Sequence, residues 1–295
     1  MPVYNTEKFI REAIESILHQ TFKDFEFLIV NDCSKDSSLD IILSYNDPRI
    51  QLINNQKTLG TSGCLNKGLQ IALGKYIARQ DSDDISLPQR LEKEMNFLEN
   101  NPEAGLVGTF FIAINEEGEF LQEFRPFTHS KDLKKKLLTK NPFAHGSVMF
   151  RRECIEKAGN YREDLKYFED VDLWRRISQH FELANIPEPL YKWRLNTGSI
   201  SVSHKHSQNL TNIKKDQRIR IISDYQYLGS CLLLNYRTRE AREYYFRALE
   251  CQKKNPKTWF LILISFVKPV LPKKIFRCLL TIFWRYQRIF RYHNY

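Results

Sequence analysis

Gln80-Asp81-Ser82-Asp83-Asp84 is the stretch on which the reading of this chain turns. Three carboxylates fall within four residues, directly after the apolar run Tyr76-Ile77-Ala78. Ile85-Ser86-Leu87-Pro88 and a helical pattern follow. Acids this close repel one another, so the cluster favours a bound cation. Hard divalent ions take oxygen ligands, and Mg²⁺ or Mn²⁺ commonly sits between one or two carboxylates and substrate phosphates. A strand ending in Asp-x-Asp is therefore a candidate for holding a metal-diphosphate at the carboxyl edge of a sheet, where open α/β folds bind ligands. The competing reading is a surface turn leading into a helix cap, where Asp is equally common.

Upstream, the pattern is β–α–β–α. Met1-Pro2-Val3 reads as the end of a strand. Phe9, Ile10, Ala13, Ile14, Ile17 and Leu18 recur at helical spacing behind a cap at Asn5 or Thr6. Residues 25–30 read as a strand buried on both faces, running through Asn31-Asp32-Cys33 into a helix over 34–45. Residues 49–54 form a third strand, and 60–73 a helix closed by Gly74. Alternating strands and helices predict parallel pairing with right-handed crossovers. Asp32 and the pair Asp81 and Asp83 are then expected at one sheet edge. Gly60 and Gly63 do not make a dinucleotide fingerprint, because their spacing is wrong.

Downstream, the spacing predicts a helix over 91–100, strands over 106–114 and 120–124, and a basic helix over 131–138. A strand over 146–150 and a short helix over 151–157 follow. A second acidic cluster, Glu169-Asp170-Val171-Asp172, opens a helix, where acids suit the dipole. Residues 190–195 read as a last strand. From about Lys205 the pattern is wholly helical. Tyr225, Leu228, Gly229, Leu232, Ala241, Tyr245 and Ala248 come close to one tetratricopeptide-like helix pair.

The net charge of +10 is unevenly placed. Residues 251–295 hold ten Lys or Arg and no acid, while the preceding 250 balance 35 basic against 35 acidic groups. That asymmetry describes a neutral body with a cationic appendage, not a nucleic-acid-binding body. The apolar runs 259–267 and 275–284 fall short of the ~20 residues that span a bilayer. With their aromatics and cations they suit an anchor lying on anionic lipid, against the alternative of a basic helix packed on the protein itself. The six cysteines show neither Cys-x-x-Cys pairs nor zinc spacing and read as free thiols in a reducing compartment. The opening residues do not read as a signal peptide.

Several ordered motifs together resemble one family. Met1-Pro2-Val3-Tyr4-Asn5, Gln20-Thr21-Phe22 with Phe25-Glu26, and Asn31-Asp32-Cys33-Ser34-Lys35-Asp36-Ser37 resemble the opening of inverting glycosyltransferases of family 2. So do Leu65-Asn66-Lys67-Gly68-Leu69, Gly74-Lys75-Tyr76-Ile77-Ala78, Asp81-Ser82-Asp83-Asp84, His145-Gly146-Ser147-Val148-Met149-Phe150-Arg151 and Glu169-Asp170-Val171-Asp172-Leu173-Trp174. The likeness spans about residues 1–200. It implies an α/β, GT-A-like, mostly parallel nucleotide-binding sheet flanked by helices, with a C-terminal all-helical extension. The expected divisions are a catalytic domain over 1–204, a helical hairpin over 205–258 and a basic aromatic tail over 259–295. The resemblance also implies a nucleotide-sugar donor, UDP-sugar foremost, and a saccharide or lipid-linked acceptor.

By the family's pattern, Tyr4 and Asp32 bind the base, Asp81 the ribose or sugar, and Asp83 the Mg²⁺ or Mn²⁺ on the diphosphate. Asp170 matches the general base, with Glu169, Trp174 and Arg194 assigned to the acceptor side. Alternatives stand beside these assignments. Asp32 can cap the helix after it, Asp170 and Asp172 can pair Arg175 and Arg176, and Trp174 can be core. Arg194 can reach the diphosphate or pair an acid, and His145 reads as a hydrogen-bonded structural residue. Family members usually carry several more apolar residues before the Pro-x-Tyr-Asn segment, so the expectation is a first strand that begins upstream of Met1. The implied location is cytoplasmic, peripheral on the inner face of the cell membrane. A non-catalytic membrane scaffold and a sugar nucleotidyltransferase are the competing functions; the latter lacks its glycine-rich basic phosphate loop.

Overall fold

In a computed structural model, residues 1–138, 141–165, 168–195 and 256–267 are described, together with Arg242, Tyr245 and Phe246. The chain divides into two compact units, Met1–Ser201 and Val202–Tyr295. The first unit opens with β1 (Pro2–Val3), α1 (Ile10–Leu18), β2 (Phe27–Asn31), α2 (Ser38–Leu43), β3 (Ile50–Asn54) and α3 (Gly60–Ile71). β1, β2 and β3 pair in parallel, Pro2 against Val30 and Phe27 against Ile50. The helical stripe predicted for α1 is its buried face, Ile10, Ala13, Ile14 and Ile17, and its three isoleucines pack with Val3, Phe27, Ile29 and Ile42. Removing such side chains from water stabilises by about 1.5–3 kcal/mol each, which makes this stripe the local anchor of the parallel sheet.

The strand that leads to the acidic cluster departs from expectation. β4 (Tyr76–Ala78) does not extend the parallel sheet but pairs antiparallel with β8 (Met149–Arg151), Ile77 opposite Phe150. It belongs to a mixed sheet with β5 (Ile85–Ser86), β6 (Ala104–Ile114), β7 (Phe120–Phe124), β8 and β9 (Glu182–Arg194). β6 is the spine, antiparallel to β7 and β8 and parallel to β9. Alternation along a three-residue strand says nothing about which distant segment it will pair with, so the error lies in pairing and not in the element. β9 is longer than the expected 190–195 because Pro187 and Pro189 argue locally against a strand. The structure absorbs them at register shifts around Phe110, which pairs Pro189.

Four helices complete this unit: α4 (Arg90–Asn100), α5 (Ser130–Leu137), α6 (Arg152–Ala158) and α7 (Glu169–Ile177). The 146–150 stretch is a 3₁₀ turn at His145–Ser147 followed by β8, not one strand. Trp174, Leu173 and Ile177 of α7 are buried with Leu106, Phe150 and Cys154 in a second core. The described cysteines Cys33, Cys64 and Cys154 are free thiols. In the second unit, α8 (Pro256–Val267) buries Leu261 and Ile262 and exposes Leu263 and Phe266. Among the described residues no helix is long and apolar enough to cross a membrane. The expected helix pair over 205–258 and most of the tail lie outside the described residues.

Glu94 of α4 is fully buried, and that burial pushes its carboxyl up from 4.5 to about 8, with Arg90 pulling the other way. A raised folded-state value keeps a proton that the unfolded chain releases. Stability from this group is complete below about pH 4.5 and lost as pH rises toward 8. Thermal unfolding of Glu94→Gln at pH 5 and pH 8 is therefore expected to show a difference from the parent that moves in favour of Gln as pH rises. A difference that is the same at both pH values contradicts this.

Candidate active site

Two loop tips close the carboxyl ends of β1 and β2. Asn5 (φ 52°) and Cys33 (φ 60°) both sit in the left-handed region, which is uncommon for residues other than glycine. Their conformations are held from across the loops: Lys35 N–H donates to Asn5 Oδ1 at 2.7 Å, and Cys33 Sγ donates to the Asn55 carbonyl at 3.1 Å. Asn5 N–H and Thr6 N–H donate to Ser34 Oγ and Ser38 Oγ. Tyr4 stands outside this lacing, 53% exposed.

Asp32, which precedes Cys33, is turned inward. Its Oδ1 accepts from Asn55 Nδ2 at 2.9 Å and Leu59 N–H at 2.8 Å, and its Oδ2 from Gly60 N–H at 2.8 Å. The carboxylate thus caps the start of α3, a stabilising position for a negative charge, and not the helix that directly follows it. Gly60 meets it with φ +75°, a conformation that suits glycine. Lys67, from the Leu65–Leu69 motif, donates to Asn55 Oδ1 at 2.7 Å and extends the network.

The acidic loop is held by buried polar side chains that sequence reading did not single out. Gln80 Nε2 donates to the Asp81 and Asp84 carbonyls at 3.0 and 2.9 Å, while Gln80 Oε1 accepts from Ser86 Oγ. Asp84 is buried; its Oδ2 accepts from Tyr191 Oη at 2.8 Å and its Oδ1 from Arg194 N–H at 2.7 Å. Burial first, and then the charges of Asp83 and Asp81, push the Asp84 carboxyl well above the usual carboxylate range. Asp81 and Asp83 are only partly buried. Asp81 pairs with buried Arg79, Oδ1 to Nη2 2.8 Å. Arg194 is 2% exposed. It donates to the Asp83 carbonyl at 2.8 Å and the Glu116 carbonyl at 2.8 Å, and it pairs with Glu12. Its guanidinium lies over Phe9, 4.8 Å from the ring centroid. The structure therefore spends Arg194 on pinning the loop, and its expected place on the acceptor side becomes a supporting one.

Arg79 also reaches from the acidic loop to His145. Its Nε donates to His145 Nε2 at 3.3 Å, and Tyr161 Oη lies 3.2 Å from the same nitrogen. Burial and the neighbouring Arg79 hold His145 well below its ordinary value, so the imidazole is neutral and acts as a hydrogen-bonded strut. Tyr161 feels the charges of Arg79, Asp170, Glu169 and Asp81 together. Burial, then the charge of Asp170, raise the Glu169 carboxyl to about 7, with Arg79 and Asp81 also within reach. Asp170 is buried and accepts from Asn141 Nδ2 at 2.5 Å and Val171 N–H at 2.7 Å. Asp172 instead pairs Arg176, as one of the alternatives anticipated. Trp174 is core: fully buried, edge-on to His145 and Tyr161, so it supports the site from below and does not line an open pocket.

The site thus sets an acidic loop paired to a buried arginine and a second acidic cluster at the start of α7 on one mixed-sheet α/β unit. The profile described as "Glycosyl transferase family 2" matches residues 1–159. The chain belongs to this family. It is 39% identical over 201 residues to an uncharacterized glycosyltransferase of Methanocaldococcus jannaschii, covering 66% of this chain and 69% of that one. To the O-antigen biosynthesis glycosyltransferase WbnJ of Escherichia coli it is 36% identical over 214 residues, covering 69% and 81%. Among solved structures, S. aureus TarS 1-349 in complex with UDP-GlcNAc superposes with TM-score 0.59 at 18% identity, over 94% of this chain and 88% of that one. The mannosyltransferase PcManGT of Pyrobaculum calidifontis, in complex with GDP-Man and Mn²⁺, gives 0.53 at 17% identity, over 93% and 70%. The GT-A-like fold expected from the sequence is the fold observed.

Proposed function

We propose that this glycosyltransferase moves a sugar with inversion from a nucleoside-diphosphate donor, a UDP-sugar foremost, to a saccharide or lipid-linked acceptor in surface polysaccharide synthesis. The observation that carries this reading is the bridge Asp81–Arg79–His145–Tyr161, which brings the acidic loop into electrostatic reach of Glu169 and Asp170. Support also comes from the relative named for O-antigen biosynthesis and from the solved neighbours holding UDP-GlcNAc and GDP-Man. The cationic residues 251–295 suit the inner face of an anionic membrane. The division into a catalytic part to residue 204, a helical hairpin to 258 and a tail to 295 belongs to the same proposal.

In this scheme exposed Tyr4 stacks the base, and Asp32 acts through the α3 start that it caps. Asp81 receives the ribose or the sugar. The acceptor hydroxyl attacks the anomeric carbon opposite the diphosphate; its proton goes to Asp170, and the electron pair of the breaking bond leaves with the nucleoside diphosphate. Glu169 flanks the acceptor. Among the described residues no three His, Cys, Asp or Glu form a ready-made metal cage. The donor set nevertheless fits Mg²⁺ or Mn²⁺. Asp83 offers a partly buried carboxylate beside Asp81 and Asp84, and such ions complete their shell with phosphate oxygens. Asp83 would hold the ion, which would supply charge neutralisation at the leaving diphosphate.

A thermal-shift panel of UDP- and GDP-sugars, with and without Mn²⁺, tests the reading. A donor that stabilises the parent only when Mn²⁺ is present, with the Mn²⁺ increment lost in Asp83→Asn, is the expected result. No response of the parent to any nucleotide sugar overturns it.

A further inference from the structure

The acidic loop rests on a side chain that this scheme does not use. Arg90, on the first turn of α4, is fully buried. Its Nη1 donates to two carbonyls from distant parts of the chain, Arg79 at 2.8 Å and Gly146 at 2.5 Å. Its guanidinium lies over the Tyr191 ring, 5.4 Å from the centroid. Glu94, one turn further and equally buried, places Oε2 3.8 Å from Arg90 Nε. Among the described residues, Arg90 Nε and Nη2 and both Glu94 oxygens have no hydrogen-bond partner.

Stability alone accounts poorly for this arrangement. Burying a guanidinium beside a carboxyl is expensive, and an apolar pair of similar volume often serves a core equally well or better. What an apolar pair lacks is a planar fork that reaches two carbonyls while its face stacks on an aromatic ring. Each segment that Arg90 touches carries a group of the site. Arg79 pairs with Asp81, Gly146 follows His145, and Tyr191 holds Asp84. Asp81 N–H also lies 3.3 Å from Tyr191 Oη. One guanidinium thus meets the root of the acidic loop, the turn bearing the histidine strut and the strand bearing the loop's buried anchor.

We propose that Arg90, with Glu94 packed beside it, is a positioning residue: by tying the Arg79 and Gly146 main chains together over Tyr191, it sets where Asp81 stands against the donor. The proposal rests on the reading that the acidic loop receives the nucleoside diphosphate. It predicts an effect that travels through Asp81 and not through the base-binding end at Tyr4.

Calorimetric titration of the full chain with UDP and Mn²⁺ tests it. Arg90→Lys keeps the charge but loses the fork. It is expected to weaken UDP binding about 10- to 100-fold, as changes behind a ligand group commonly do, with its unfolding temperature near that of the parent. In double variants, Arg90→Lys with Asp81→Asn is expected to lose less than the product of the single losses, whereas Arg90→Lys with Tyr4→Ala loses the full product. Full additivity with Asp81→Asn, or coupling of equal size to both partners, makes Arg90 a merely structural residue and overturns the proposal. If Arg90→Lys does not fold, Arg90→Gln, which keeps a planar donor but loses the guanidinium fork, carries the same pair of cycles with the same criteria. A parent that binds neither UDP nor GDP overturns the functional reading and this proposal with it. A parent that binds, with additive cycles, overturns this proposal alone.

Discussion

Asp170→Asn is expected to lower sugar transfer by about 10²- to 10⁴-fold, the range over which a positioned base contributes, while leaving UDP binding within about twofold. The substitution preserves shape; because Asn141 donates to Oδ2 and the Val171 amide to Oδ1, the single amide oxygen keeps one of these two hydrogen bonds and gives up the other. What it removes is the capacity to take a proton. The pH dependence adds a second signature. Glu169 shares the helix start and is raised to about 7 by burial and by the charge of Asp170. The two acids therefore retain a proton between them until pH passes about 7, and transfer by the parent is expected to rise through that value. Glu169→Gln should flatten this limb. The measurement is transfer from the donor identified by thermal shift to the acceptor in isolated membranes, against pH. A full rate in Asp170→Asn removes it from the role of base.

Gly146→Ala is the second large effect, this time on stability. An added Cβ falls 1.8 Å from Tyr191 Oη and 2.9 Å from Asp81 Oδ2. Tyr191 is fully buried under Arg90 and cannot swing aside freely. Overpacking of this kind costs about 1–3 kcal/mol. Displacing the Tyr191 hydroxyl from buried Asp84 removes a hydrogen bond whose loss costs about 1–3 kcal/mol more. Against a total stability of about 5–15 kcal/mol for an ordinary domain, urea unfolding should show a large drop in midpoint. Tyr191→Phe removes the nearest clashing atom, so the double variant is expected to lose less than the sum of the single losses. Strict additivity places the damage elsewhere than at this contact.

Much of the fold was legible from local pattern. The α1 stripe, the apolar β2, the hairpin of β6 and β7 and the acidic start of α7 all sit where spacing and composition put them. These features report themselves in windows of ten or so residues, because helix and strand periods are local. The partner of β4 was not legible, since three residues carry no register information. β9 was read short because its prolines argue against the strand that β6 nevertheless imposes. At the site, Asp81, Asp83, Glu169 and Asp170 stood out as clustered charge. Arg79, Gln80, Tyr161 and Tyr191 did not, since a single polar residue beside an apolar run looks like any other until its partners, up to 110 residues away, are known. Asp32 and Arg194 show the converse: both stood out by type and position, and packing gave them internal partners.

The amino-acid order alone determined which residue types are available for the chemistry, and in what local setting: carboxylates beyond a short strand, carboxylates opening a helix, and cations gathered after residue 250. Tertiary structure alone decided that Asp81 pairs with a buried arginine that reaches His145, that Asp84 is buried while the flanking acids are partly open, and that Trp174 faces the core. The physical reason is range. Repulsion, capping and periodicity act within a few residues of chain, whereas burial and ion pairing depend on which distant segments the cores draw together.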